Sequence, residues 1–109
     1  MGVDVSLTSV LRRGTSPKRR EVRAVEIVSD PKDRFAELCT RSRRPMLSRV
    51  DPYKSLVLTR ADMPQFISEV EAELAGCGDG EVRQLLAQVL RLARECEARD
   101  GHELHLDGD

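Results

Sequence analysis

Residues 63–96 read MPQFISEVEAELAGCGDGEVRQLLAQVLRLAREC and contain the two longest amphipathic patterns of the chain. In the first half, apolar side chains recur at the spacing of one helix face, at Met63, Phe66, Ile67, Val70 and Leu74. The second half repeats this spacing for about four turns, at Val82, Leu85, Leu86, Val89, Leu90, Ala93 and Cys96. Glycines in residues 76–80 interrupt the pattern, so the sequence predicts two helices joined by a glycine turn and packed against each other.

The segments outside this helical pair predict four strands. VDVSLTSV at residues 3–10 alternates apolar and polar side chains, and EVRAVEIV at 21–28 is rich in β-branched residues, so the two favour a hairpin. The apolar positions of residues 21–28 change phase midway, which indicates either two partly covered faces or a bulge. The run KSLVLT at 54–59 predicts a short central strand, and HELHLD at 102–107 predicts the last strand.

Helix starts are marked by capping residues. Ser29 or Asp30 can accept hydrogen bonds from free amides, and Pro31 suits the first position of a short helix. Thr59 and Asp62 have the spacing of a capping box before the longer helical pair. The predicted fold is therefore α+β, a single domain over residues 1–109, with an about four-stranded, largely antiparallel sheet. Its element order is β-β-α-β-α-α-β, with helices packed on one face.

The charge of the chain is divided between its halves. Residues 1–50 carry twelve Lys or Arg and six Asp or Glu, and residues 51–109 carry six and thirteen, which gives +6 beside −7. The segment RRGTSPKRR at 12–20 concentrates five cations around turn-forming residues and predicts an exposed basic loop. Such a split favours a polarised surface that steers partners, unless the opposite halves neutralise each other within a monomer or across a dimer.

No residue pattern indicates a reactive site. His102 and His105 are three positions apart in a predicted strand, so they point to opposite faces and cannot chelate one metal ion together. Cys39, Cys77 and Cys96 lack a C-x-x-C pairing and favour reduced, buried thiols. GCGDG at 76–80 lacks the preceding strand and the G-K-[ST] ending of a phosphate loop. We therefore expect no enzyme activity, no cofactor and no metal.

Two function classes remain open. The leading hypothesis is a cytoplasmic, non-catalytic domain that binds another protein, with an immunity or inhibitor role as its sharpest version and a homodimer as a further option. Its expected contacts are the acidic residues Glu69, Glu73 and Glu81.

The alternative is a regulatory protein that binds nucleic acid through its basic loop. Its contacts would be Arg12, Arg13, Lys18, Arg19 and Arg20. The acidic second half, the scarcity of aromatic residues and the absence of a recognisable nucleic-acid-binding signature count against it. No apolar run approaches the roughly 18 residues of a membrane span, so a membrane partner is not expected either.

Overall fold

The computed structural model describes residues 2–12 and 20–108, apart from the side chains of Arg12 and Arg20. The strands are β1 Val3–Arg12, β2 Arg20–Val28, β3 Ser55–Leu58 and β4 His102–Gly108, and the helices are α1 Arg34–Arg41, α2 Met63–Ala75 and α3 Gly80–Ala98. Short 3-10 turns at Leu47–Arg49 and Arg60–Asp62 complete the order. The predicted sequence of elements and the α+β class are confirmed.

The four strands form one antiparallel sheet in the order β2-β1-β4-β3. The C-terminal strand β4 therefore lies between β1 and β3. The prediction that residues 54–59 form a central strand is wrong, because β3 is an edge strand with Val57 44% exposed. An apolar run of this length indicates that a strand is buried on at least one side, but it does not indicate whether one or two neighbouring strands pair with it.

The hairpin of β1 and β2 contains the bulge that was one of the two predicted alternatives. Leu7 pairs with Glu26 and Thr8 pairs with Ala24, so Val25 is an extra residue in β2. The bulge restores the alternation of the strand on either side of it. It explains the phase change of the apolar positions in the sequence.

One helix, α3, covers the sheet. It packs against β1, β2 and β4, and α1 and α2 pack in turn against α3. The side chains that α3 buries are Leu86, Val89, Leu90, Leu92, Ala93 and Cys96. Leu92 lies outside the predicted stripe, and its burial reflects packing on more than one side of α3. On the sheet, Val5, Leu7, Leu104 and Leu106 complete the aliphatic core.

Asp30 joins the sheet to α1. Its buried carboxylate accepts hydrogen bonds from the amides of Phe35 (3.1 Å), Ala36 (2.9 Å) and Val3 (3.2 Å). The prediction that residue 30 serves the helix start is confirmed, but Pro31 is not the first helical residue. The helix begins at Arg34, after Asp33 adopts a left-handed conformation with φ of 58°.

The other predicted helix start is confirmed in its first register. Thr59 N and Thr59 Oγ1 both donate to Asp62 Oδ2, at 2.9 and 3.2 Å, in a capping box. This box begins the 3-10 turn that leads directly into α2 at Met63. The next helix, α3, begins at Asp79, whose Oδ1 accepts from the amides of Glu81 and Val82.

We expect Asp30→Ala to lower the free energy of unfolding by roughly 3 kcal/mol or more, because three amides lose a charged acceptor in a buried position. Chemical denaturation followed by circular dichroism measures the change. The matched control is Asp100→Ala, which removes an almost fully exposed carboxylate paired with Arg60 and should leave the transition midpoint nearly unchanged. Equal effects of the two substitutions would contradict the anchoring role of Asp30.

Candidate protein-binding surface

The face of the sheet turned away from α3, which we call the open face, is defined by the strand register. Val5 and Leu7 lie under the helices, so the alternate residues Ser6 and Thr8 lie on the other side. Their cross-strand partners share that side. The open face thus carries Asp4, Ser6, Thr8 and Val10 of β1, Val22, Ala24 and Ile27 of β2, Ser55 and Val57 of β3, and Glu103, His105 and Asp107 of β4.

Apolar side chains are exposed along the β2 edge of the open face. Val22 and Ile27 on this face and Val25 at the bulge between them are 49%, 57% and 50% exposed, and we call these three residues the β2 strip. Val57 on the opposite edge adds a fourth exposed apolar side chain. Fully burying a Val or Ile side chain is worth about 1.5–3 kcal/mol, so a partner that covers the β2 strip would gain substantial binding energy.

The centre of the open face is polar and satisfied internally. His105 Nε2 lies 3.1 Å from Glu103 Oε1, and the oxygens of Ser6 and Thr8 are 3.5 Å apart. Ser6 and Thr8 are buried on β1, which lies between β2 and β4. The centre is therefore a polar floor between the β2 strip on one edge and Val57 on the other.

The two histidines lie on opposite faces of β4, as the sequence predicted. His105 belongs to the open face, whereas His102 pairs with Ser9 on the helical side and places Nδ1 2.8 Å from the carbonyl oxygen of Asp100. In the part of the chain that the structure describes, no three His, Cys, Asp or Glu side chains come together as metal ligands.

The outer end of the hairpin projects beyond the rest of the sheet. β4 pairs with β1 only as far as Ser9, whereas β2 continues for three further pairs to Arg12 and Arg20. Leu11 is exposed there although it lies on the helical side, because none of the described helices reaches this end. The molecule is elongated accordingly, with principal extents of 48 × 27 × 23 Å.

In the sequence, the predicted basic contacts lie between the projecting ends of β1 and β2. Arg13, Lys18 and Arg19 fall outside the described residues, as do the side chains of Arg12 and Arg20. What is described is the backbone of the two strands that carry the basic segment.

Among the predicted acidic contacts, Glu69 is a correction. It is only 7% exposed, and its carboxylate accepts hydrogen bonds from the amides of Met46 and Leu47 at 2.9–3.1 Å and from Gln65 Nε2 at 2.9 Å. It therefore holds the loop after α1 against α2 and is unavailable to a partner. Its place beside Val70 and three residues after Phe66 puts it at the margin of the apolar stripe, which was the one signal available in the sequence.

Glu73 and Glu81 are at the surface and have partners within the chain. Glu73 Oε1 lies 2.9 Å from Arg44 Nε, and Glu81 Oε2 lies 3.3 Å from Lys32 Nζ. Arg34 and Asp79 form a third pair of this kind, at 3.5 Å. In each pair the cation comes from the first fifty residues and the carboxylate from the remainder. The charge asymmetry of the sequence is thus partly neutralised within the monomer.

The two buried cysteines are poorly suited to nucleophilic chemistry. Burial, together with the nearby carboxylates of Asp30 and Glu73, strongly raises the pKa of Cys39. Burial and the charge of Glu103 raise the pKa of Cys96 to about 11. Both residues therefore stay protonated thiols at neutral pH.

A surface groove of about 420 Å³ lies between α1 and the turn at Pro52 and Tyr53, which follows the 3-10 turn Leu47–Arg49. It is lined by Asp33, Ala36, Glu37, Thr40, Arg41, Pro52 and Tyr53. Neither of the buried cysteines nor His105 contributes to this groove.

The chain matches no protein-family model, no curated protein and no solved structure. Among the described residues, no helix is both long and apolar enough to cross a lipid bilayer. The open face and the projecting hairpin are therefore the features from which a function is inferred.

We expect only Cys77 to be alkylated readily in the native protein at pH 8. Cys77 is partly exposed, whereas the raised pKa values and the burial of Cys39 and Cys96 leave little accessible thiolate. Mass spectrometry after a short iodoacetamide pulse gives the modified positions, and Cys77→Ser should abolish native-state labelling. Rapid modification of Cys96 without unfolding would contradict this expectation.

Proposed function

We propose that the protein is a non-catalytic domain that binds another protein through the open face of its sheet. The observation that carries the proposal is the β2 strip, in which Val22, Val25 and Ile27 are each about half exposed on one strand. Single exposed apolar residues are common on protein surfaces, but three half-exposed aliphatic side chains close together on one edge strand are typical of an interaction surface.

The composition of the open face suits a protein partner. Apolar side chains lie at the β2 edge, and Glu103 and His105 form a polar floor beside them. Protein interfaces commonly combine a desolvated apolar patch with hydrogen-bonding groups around it. The described residues of this face carry the aliphatic side chains of Val22 and Ile27 on β2, with Val25 at the bulge beside them, and no Phe, Tyr or Trp, which favours a flat or extended protein surface over a small planar ligand.

The acidic contacts take a smaller part in this proposal than the sequence indicated. Glu73 and Glu81 lie on the helices and are engaged with Arg44 and Lys32, so a basic partner would have to compete with these cations. They remain predicted contacts of a second, helical surface. An immunity or inhibitor role stays a prediction about the identity of the partner.

We expect the double variant Val22→Asp/Ile27→Asp to lose a specific partner that the wild-type protein retains from extracts of its own host. Two carboxylates in the β2 strip would have to be desolvated on binding, and that cost opposes the apolar contact. The measurement is quantitative mass spectrometry of proteins captured by each immobilised variant.

The matched control is Gln84→Asp/Gln88→Asp, which adds the same two charges to exposed positions of α3. Circular dichroism verifies that both variants are folded. The proposal requires a protein that is captured by the wild type and the control and is lost from the β2 variant. Identical captured sets for all three would rule out the β2 strip as the binding surface.

A second candidate function is nucleic-acid binding by the hairpin end. The observation that favours it is the projection of β1 and β2 beyond β4, because these strands carry RRGTSPKRR at 12–20. Cations joined to strand ends that project beyond β4 could pair with a phosphate backbone.

This candidate predicts binding of labelled DNA or RNA at low salt, measured by fluorescence anisotropy. Neutralising Arg12, Arg13, Lys18, Arg19 and Arg20 to Gln should abolish it, and the affinity of the wild type should fall steeply as salt rises. The control, Arg49→Gln/Lys54→Gln/Arg99→Gln, removes three exposed cations elsewhere and should bind nearly as well. Failure of the wild type to bind at low salt would eliminate this function.

A further inference from the structure

Within the described part of the chain, β2 is an edge strand, and no other strand lies along its outer side. β2 is at the end of the strand order, and residues 21–25 are exposed. The other edge strand, β3, has only four residues, whereas β2 has nine. A long edge strand presents free amide and carbonyl groups that favour pairing with another strand, so natural proteins usually shorten, cover or charge such edges.

The residues of β2 are arranged nearly symmetrically around the bulge. Val22 and Ile27 flank it on the open face, because they pair with Val10 and Ser6. Arg23 and Glu26 flank it on the helical face, because they pair with Ser9 and Leu7. In a regular strand, residues three or five positions apart lie on opposite faces, and the extra residue of the bulge brings each pair onto one face.

This arrangement is self-complementary in one antiparallel register. When residue 23 of one chain opposes residue 26 of another, each Arg23 meets a Glu26, and each Val22 meets an Ile27 on the open face. Residue 24 of each chain then opposes residue 25 of the other chain. The two bulges therefore face each other, and every residue from 22 to 27 has a partner across the pair. Opposite charges and β-branched pairs directly across an antiparallel ladder are both stabilising.

The registers two residues away are worse, and one of them also places Arg23 of the helical face opposite Ala24 of the open face. A slip of two residues in one direction places Glu21 opposite Glu26, and a slip in the other direction places Arg23 opposite Val28. Single-residue slips exchange the two faces on one strand. Charge and face thus select the same register.

We infer that the β2 edge pairs antiparallel with the β2 edge of a second copy of this chain, around a twofold axis between residues 24 and 25. Two four-stranded sheets would join into one of eight strands, with both helical layers on the same side. The Glu26 carboxylate already pairs with Arg91, and its remaining acceptor sites can receive the Arg23 guanidinium of the second copy. The charges at this edge therefore guide pairing with a copy of itself and disfavour other strands.

The pairing would also enlarge the candidate protein-binding surface. The β2 strips of both copies would meet at the centre of the joined open face. The inference concerns the edge of the strand and does not depend on the identity of a partner on the face. Its tests use the purified protein alone, so they fail or succeed separately from the capture experiment.

The first test is cross-linking that reports the register. Val22→Cys and Ile27→Cys are made as separate proteins in a Cys77→Ser background, mixed, and oxidised mildly. The inferred register places the thiol introduced at position 22 opposite the thiol introduced at position 27 of the other protein, whereas two equivalent positions are about 17 Å apart. We expect cross-linked heterodimers to form much faster than cross-linked dimers of either protein alone, as measured by mass spectrometry.

The second test is charge reversal followed by analytical ultracentrifugation over a concentration series. An Arg91→Gln background removes the internal partner of Glu26 and should leave dimerisation nearly intact. In that background Arg23→Glu and Glu26→Arg should each weaken the dimer at least about tenfold, because two like-charged pairs appear at the twofold axis. Combining both reversals restores opposite charges and should recover most of the affinity.

A wild-type protein that stays monomeric throughout the series would overturn the inference. The inference would also be overturned by a dimer whose affinity is unchanged by the single charge reversals. The same holds if cross-links between two equivalent positions form as quickly as those between positions 22 and 27, because the dimer would then use another surface. Rescue by the double reversal together with the preferred heterodimer supports the inferred register.

Discussion

The structure depends on the fact that its helices cover one face of the sheet. Among the described helices, α3 alone packs broadly against the strands, while α1 and α2 pack against α3. This stacking fills the aliphatic core from a single side and leaves the second face of the sheet without a covering layer from the described residues. A sheet of this kind must either carry polar residues on its free face or use that face for contact. β4 places the polar residues Glu103, His105 and Asp107 on this face, whereas the β2 strip leaves apolar side chains exposed.

Two buried carboxylates hold the irregular segments onto this core. The carboxylate of Asp30 accepts hydrogen bonds from the amides of Val3, Phe35 and Ala36, and that of Glu69 accepts from the amides of Met46 and Leu47. Each thus satisfies backbone donors that no helix or strand could pair. Asp30 serves the helix start as the sequence predicted, whereas Glu69, which the sequence placed among the surface contacts, is here part of the scaffold.

The elements could be predicted because their signals are local. The spacing of Phe66, Val70 and Leu74, the glycines around Asp79, and the capping pair Thr59 and Asp62 each determine the conformation of their own neighbourhood. The same signals could not assign Glu69 to the interior, because an acidic residue at the edge of an apolar stripe is solvated or buried according to the amides that approach it. They could not make β3 an edge strand either, because strand neighbours are chosen across the whole chain.

By itself, the sequence determined the order of helices and strands, the antiparallel α+β class and the change of phase within residues 21–28, since periodicity and capping act over a few residues. Only the tertiary structure decided that β4 lies between β1 and β3, that Arg44, Lys32 and Arg34 neutralise distant carboxylates, and that the β2 strip is left uncovered. These outcomes depend on which segments meet after the chain collapses around α3. Contacts between residues far apart in the chain leave no periodic signal in the sequence.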